Sequence, residues 1–309
     1  MNEVLDMDYL SCELCPRRCM VNREEAAGFC RCGTAPRIAR AALHLWEEPC
    51  ISGTRGSGTV FFSGCTLKCC FCQNYSISSE GFGKDITVRR LADIFLELEE
   101  KGAHNINLVT PTQYVPSILS ALDLVRHRLS VPIVWNSGGY ERLETLKLLE
   151  GYVDIYLPDL KYKSSALSRR YSGAADYFDV ASEAVSAMIR QTGAPVLKEE
   201  DGCTLMKRGV IIRHMVLPGQ KEDSKQLLFW IRDHLPQDHF FLSLLSQYTP
   251  FYRSREFPEI NRRITSYEYN QVLDCAIRLG LTKGFMQEKS SAKEEYTPPF
   301  DLEGVDPQP

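Results

Sequence analysis

The chain has 309 residues, enough for one large α/β domain or two smaller ones with a buried core. Apolar residues make up 44% and charged residues 25%, and 36 basic against 40 acidic side chains give a net charge of −4. That balance provides no whole-protein basic field for nucleic acid, and no apolar run nears the roughly 20 residues that span a bilayer. The opening MNEVLDMDYL lacks the basic and apolar stretches of a secretory signal, so a cytoplasmic protein with no membrane or nucleic-acid partner is expected.

Residues 1–57 carry cysteine, glycine and proline with little periodicity and read as a Cys-rich N-terminal module. Ten of the 12 cysteines fall at or before Cys72, leaving Cys203 and Cys275 as ordinary buried thiols. A disulfide framework suits a short secreted chain, not one of this length without an export signal. Clustered thiols here point to metal or redox chemistry. Cys12-x2-Cys15-x3-Cys19 is followed by Cys30 and Cys32. The segment is too small and polar to build a core unaided, so a metal would supply its folding energy. The expected ligands are Cys12, Cys15, Cys19 and Cys30, with Cys32 as a substitute fourth. Zinc and a 4Fe–4S cluster both accept four thiolates, and spacing does not separate them. Incidental buried thiols are the blander reading. Gly53, Gly56 and Gly58 precede a strand instead of following one, which rules out a dinucleotide fingerprint.

From residue 58 to 288 short β-rich runs alternate with helical patterns. Strands are predicted at TVFF (59–62), NINLVTP (105–111), PIVWNS (132–137), DIYLPDL (154–160), GVIIRHMVL (209–217) and FFLSLLSQY (240–248). Several are nearly continuous in apolar residues, as strands covered on both faces are. After the first, Val88, Leu91, Ile94, Phe95 and Leu98 recur at helical spacing, with Gly102 as a stop. Further helices are predicted over 117–128, 141–150, 177–191, 223–235 and 267–279. Six such alternations imply a parallel sheet with right-handed crossovers. They are too few for a closed eight-fold barrel, so the expected fold is α/β, a partial (β/α)6 TIM-like barrel, with a doubly wound sheet as the alternative. Either way, function gathers at the C-terminal strand ends. Residues 289–309 read as a loose tail.

At the end of the first strand, GCTLKCCFCQNY (64–75) offers three thiols at Cys65-x3-Cys69-x2-Cys72. Three thiolates from one tight loop can hold an iron–sulfur cubane and leave one iron open. Structural zinc normally completes four protein ligands, and no histidine lies nearby in sequence. Cys70 is expected to point elsewhere.

This spacing after a first βα strand, with Phe71 inside it, resembles the radical S-adenosylmethionine superfamily. The runs LHLWEEPCISGTRGSGTVFFSGC, FCQNYSIS, GAHNINLVTPT, DIYLPDLKY and IIRHMVLPG resemble its pyruvate formate-lyase activating enzyme-like branch over roughly residues 12–280. The resemblance implies that Cys65, Cys69 and Cys72 hold a 4Fe–4S cluster. It implies that the open iron chelates S-adenosylmethionine and that reductive cleavage releases a 5′-deoxyadenosyl radical. It also implies an electron donor such as a flavodoxin or ferredoxin, and a protein or small-molecule substrate. Asp159 and Lys161 match the branch's Asp-x-Lys motif, Asp159 for ribose hydroxyls and Lys161 for the methionine carboxylate; a surface ion pair is the blander reading. The Gly-Gly-Glu segment common after the second strand is replaced by Thr110-Pro111-Thr112-Gln113. Thr110 and Thr112 are therefore the candidates to hold the cofactor ammonium.

Asn136 to Gly139 end the third strand as either a ligand-approaching loop or a simple turn. Arg213 interrupts an apolar strand and needs an anionic partner, for which the cofactor carboxylate is a candidate, while a buried His214 is usually a satisfied core residue. Gln247 and Tyr248 are placed at the substrate mouth. A second 4Fe–4S cluster at the N-terminal cysteines is favoured over zinc, because a radical enzyme can use one for electron delivery or substrate ligation. The functions that remain are activation of a glycyl radical enzyme, radical modification of another peptide or small molecule, or a non-catalytic iron–sulfur or zinc protein.

Overall fold

The computed structural model describes residues 9–287 and 297–307; most of the segment bearing on export, and part of the tail, lie outside the described residues. The chain opens its regular structure with β1 (Arg37–His44), α1 (Pro49–Ser52), β2 (Ser57–Phe62), α2 (Tyr75–Ser78) and β3 (Lys84–Asp85). It continues with α3 (Val88–Glu100), β4 (Ile106–Val109), α4 (Val115–Val125), β5 (Ile133–Ser137), α5 (Leu143–Leu148) and β6 (Ile155–Pro158). There follow α6 (Ser165–Ser172), α7 (Tyr177–Thr192), β7 (Val196–Glu200), β8 (Cys203–Met215), α8 (Lys221–His234), β9 (Phe241–Leu245), α9 (Ser266–Arg278) and β10 (Gly284–Met286).

The strands form one sheet in the order β10-β9-β8-β6-β5-β4-β2-β1-β3, with β7 paired to β8. From β2 through β10 along this path every pairing is parallel, and β1 joins β2 antiparallel. The result is a partial (β/α)6 barrel, as the alternation implies. Each of the six predicted strands is present, and β8 is longer because its first half makes a hairpin with β7.

Side-chain alternation along the strands separates two apolar layers. Ile106, Leu108, Trp135, Tyr156 and Ile212 face outward against the helices. Val134, Ile155, Leu157 and Ile211 face inward, where Cys50 and Ile51 of α1 pack against them. Helix α3 starts where the Thr87 side chain accepts from the Arg90 N–H, and it buries Leu91, Ile94, Phe95 and Leu98. Helix α9 starts with a reciprocal capping box between Thr265 and Glu268.

Two regions differ from expectation. The leader does not stand apart, since β1 lies in the same sheet as the barrel strands and α1 closes the barrel's lower end. The described part of the tail is not loose. The Ala41 N–H donates to the Glu303 carbonyl at 2.8 Å and the Leu302 N–H to the Ala39 carbonyl at 3.0 Å. Arg40 pairs with Asp301 and Glu303, and Val305 is fully buried. A polar, proline-rich composition concealed a segment held mainly by backbone bonds and ion pairs. Among the described residues, no helix is long and apolar enough to cross a membrane.

Candidate functional site

A cavity of about 250 Å³ opens at the C-terminal ends of the parallel strands. Cys65, Cys69 and Cys72 line it, and so do Thr110, Thr112, Asn136, Asp159, Lys161 and Arg213. The strand-end rule explains this gathering, because consecutive parallel strands deliver their following loops to one face. Cys70 is absent from the lining. Its N–H donates to the Tyr171 carbonyl at 2.8 Å, and its carbonyl accepts from the Arg253 N–H at 2.8 Å.

Each of the three cavity sulfurs has a hydrogen-bond donor. The Leu67 N–H lies 3.3 Å from Cys65 Sγ, the Ser172 hydroxyl 2.9 Å from Cys69 Sγ, and the Ser78 hydroxyl 3.3 Å from Cys72 Sγ. Burial pushes the Cys69 thiol up, and it pushes the Cys72 thiol to about 12. A buried thiol of that kind ionises when a metal takes the proton's place. Among the described residues no three His, Cys, Asp or Glu side chains converge on a point for one metal ion. A cubane needs no such point, because each thiolate binds its own iron. Three donor-supplied thiols lining one cavity therefore fit a 4Fe–4S cluster.

The same cavity holds a network of paired charges. Asp159 accepts from Lys161 Nζ at 2.6 Å through Oδ2 and from Arg213 Nε at 3.0 Å through Oδ1. Burial would raise the Asp159 pKa, but Arg213 and Lys161 hold it below the usual carboxylate range. Burial likewise disfavours the Lys161 ammonium, and Asp159 outweighs it, so that pKa is raised. Arg213 spends its remaining nitrogens on Asn136 Oδ1 at 2.5 Å and Glu47 Oε2 at 3.3 Å. Its anionic partners are thus Asp159 and Glu47, which changes the expectation that it seeks a cofactor carboxylate. Asn136 donates to Glu47 Oε1 at 3.2 Å, so both ends of its side chain belong to this network. Lys161 uses one ammonium proton on Asp159 and keeps the capacity for a carboxylate.

Glu47 is the site residue that sequence reasoning missed. It arrives from the turn after β1 and also accepts from Asn107 Nδ2 at 3.0 Å. Its signal was faint: a Glu-Glu pair in a stretch without periodicity. Burial raises its pKa, opposed by Arg213 and Asn107.

Thr110 adopts a left-handed backbone with φ +57° at the cavity wall, a strained conformation for a β-branched residue. Its carbonyl accepts from Gln113 Nε2 at 2.7 Å. The Gln113 side chain also reaches the Ser63 and Gly64 carbonyls, bracing the approach to the cysteine loop. The Thr112 hydroxyl donates to Glu141 Oε1 at 2.7 Å, leaving its lone pairs as acceptors. Gly138 and Gly139 follow β5 for packing reasons. A Cβ at Gly138 would meet Leu67 at 2.9 Å, and one at Gly139 would meet the Asp159 carbonyl at 2.3 Å. His214 is satisfied on both nitrogens by the Leu160 carbonyl at 2.7 Å and Ser224 at 2.9 Å. Gln247 and Tyr248 line the cavity from the segment after β9.

The N-terminal cysteines lie outside this cavity. Cys15 is within electrostatic reach of Cys12, Cys19 and Cys30, and Cys12 of Cys30, while Cys32 Sγ donates to the Cys30 and Ser63 carbonyls at 3.3 and 3.5 Å.

Comparison with known proteins agrees with the geometry. The family model described as the radical SAM superfamily matches residues 59–231. The chain is 33% identical over 289 residues to the uncharacterized protein MJ0674 of Methanocaldococcus jannaschii, covering 90% of this chain and 78% of that one. It is 23% identical over 307 residues to the uncharacterized protein MJ0808 of the same organism, covering 91% and 81%. Streptococcus suis SuiB, solved with S-adenosylmethionine, aligns at a TM-score of 0.48 and 13% identity over 72% of this chain. The alignment covers 48% of SuiB, so the chain spans about half the length of that protein. A parallel partial barrel with three cysteines after its first barrel strand, matched across more than half its length by that family model, belongs to the radical SAM superfamily of 4Fe–4S and S-adenosylmethionine enzymes.

Proposed function

We propose that Cys65, Cys69 and Cys72 hold a 4Fe–4S cluster and that the cavity beside them binds S-adenosylmethionine for hydrogen abstraction from a substrate at its mouth. When bound and reduced, the cluster supplies the electron that cleaves the sulfonium into methionine and a 5′-deoxyadenosyl radical. The observation that carries this reading is a single cavity lined by all three cysteines together with Asp159 and Lys161. Hydrogen bonds from Leu67, Ser172 and Ser78 withdraw charge from the thiolates and tune the cluster. Lys161 neutralises the cofactor carboxylate, Asp159 accepts from ribose hydroxyls, and Thr110 and Thr112 accept from the ammonium. Arg213, Asn136 and Glu47 act one step back: they fix Asp159 and keep its charge compensated. The apolar packing of Cys50 and Ile51 excludes water from the lower end of the barrel.

The test is 5′-deoxyadenosine formation by anaerobically reconstituted protein with reductant and S-adenosylmethionine. Formation is expected without added substrate and is expected to vanish in each of Cys65→Ala, Cys69→Ala and Cys72→Ala. Full turnover by Cys69→Ala overturns the assignment.

The narrower reading, abstraction from a backbone glycine of a glycyl radical enzyme, is supported by the sequence runs that resemble the pyruvate formate-lyase activating branch. Its test is electron paramagnetic resonance of the reconstituted protein mixed with a glycyl radical enzyme encoded beside its gene. A glycyl doublet supports it, and 5′-deoxyadenosine without that doublet leaves modification of another peptide or small molecule.

A further inference from the structure

We propose that Cys12, Cys15, Cys19 and Cys30 hold a second 4Fe–4S cluster, seated directly behind the loop that carries Cys65, Cys69 and Cys72. The inference goes beyond the proposed function and does not depend on it. The leader folds to bring these thiols together. The Cys12 N–H donates to the Val21 carbonyl at 2.9 Å and the Met20 N–H to the Cys12 carbonyl at 3.0 Å, closing a loop around Cys15 and Cys19. Within it Arg18 and Met20 take left-handed backbones, φ +40° and +55°, which turn Cys19 back toward the segment holding Cys30. The Phe29 N–H then lies 3.3 Å from Cys19 Sγ, and a Cβ on Gly28 would stand only 3.0 Å from that sulfur. Hydrogen bonds to the ligand sulfurs are among the groups that tune an iron–sulfur cluster. Cys15 interacts electrostatically with Cys30, Cys12 and Cys19 together.

The surroundings suit a negatively charged cluster. Arg23 sits beside Cys12, Cys30 and Cys32, and its guanidinium is fixed by the Cys32, Gly33 and Gln113 carbonyls. Cys32 is a supporting donor, not a ligand, because its sulfur packs against the backbone at Gly64, where a Cβ would approach it to 2.2 Å. The quartet, like the cavity trio, does not converge on a point for one ion, and a cubane does not require it to.

Arg17, between Cys15 and Cys19, ties the two sites together. Its Nε donates to the Thr66 carbonyl at 2.9 Å, Nη2 to the Ser172 carbonyl at 3.2 Å and Nη1 to the Gly173 carbonyl at 2.7 Å. Thr66 lies inside the cavity cysteine loop, and Ser172 is the residue that donates to Cys69.

The experiment is iron, zinc and acid-labile sulfide analysis of the full chain after anaerobic reconstitution with both metals present. The variant Cys65→Ala/Cys69→Ala/Cys72→Ala is expected to keep about four irons, as one cubane holds. Adding Cys12→Ala/Cys15→Ala removes them, and adding Cys32→Ala does not. About one zinc in place of iron, no metal at all, or iron retained after Cys12→Ala/Cys15→Ala each overturns the proposal. Should the triple variant fail to fold, the otherwise native chain is expected to hold about eight irons and its Cys12→Ala/Cys15→Ala variant about four. Equal iron in those two overturns the proposal while leaving the cavity cluster intact.

Discussion

The barrel presents cysteine to its interior at both ends, in two different settings. At the C-terminal strand ends, Cys65, Cys69 and Cys72 face an open cavity, and each sulfur has an N–H or O–H donor. At the opposite end, Cys50 is packed with Ile51, Val134, Ile155, Leu157, Met206 and Ile211. Burial pushes Cys72 and Cys50 alike to about 12. Thiol acidity therefore does not separate the two; the donors and the empty space beside the sulfur do. The upper end spends its residues on ligands and paired charges, and the lower end on apolar contact.

The largest expected effect tests that contrast directly. Cys69→Ala abolishes 5′-deoxyadenosine formation, whereas Cys50→Ala keeps it and loses about 1 kcal/mol of stability. Loss of cofactor cleavage in a folded Cys50→Ala would erase the distinction. Next, Ile51→Ala opens a hole in the lower plug and should cost about 2–4 kcal/mol in denaturant unfolding. S-adenosylmethionine affinity, read by calorimetry, should stay unchanged in that variant, and a large drop would mean the two ends are coupled.

At the upper end, Asp159→Asn removes the negative charge shared by Lys161 and Arg213 and one of the two acceptor oxygens. Each charge-assisted bond lost costs about 1.5–3 kcal/mol, so cofactor affinity should fall roughly ten- to a hundred-fold. The cluster absorption spectrum should persist, and unchanged affinity would remove Asp159 from the cofactor cradle.

The last effect, read as a pH slope, concerns Glu141, the buried acceptor of Thr112, whose pKa burial raises from 4.5 to about 7. A carboxyl with a raised folded pKa favours the folded state when protonated. Its contribution is thus complete below 4.5 and is lost as pH rises toward 7. The slope is at most about 1.4 kcal/mol per pH unit across that window. Unfolding titrations should show this slope in the native chain and lack it in Glu141→Gln. Identical pH profiles would mean that Glu141 is not held protonated.

Much of this was legible in the sequence because it is local. Near-continuous apolar runs marked the six barrel strands, and the spacing of Val88, Leu91, Ile94, Phe95 and Leu98 marked α3. Cys65, Cys69 and Cys72 sit in eight consecutive residues after a strand, so any parallel sheet delivers them together to the strand-end face. Asp159 and Lys161 arrive at the same face for the same reason.

What the tertiary structure decided is partnership. Glu47 and Arg213 are 166 residues apart and meet because the turn after β1 enters the barrel from below. Both sides of Asn136 are claimed by that pair, and Arg17 reaches the cavity loop only because the leader packs behind it. The described tail joins β1 through bonds that its composition did not advertise. Hydrophobic period and ligand spacing are written along the chain within one or two turns. The choice among several carboxylates for a buried guanidinium depends on which of them the completed fold brings within a few ångströms.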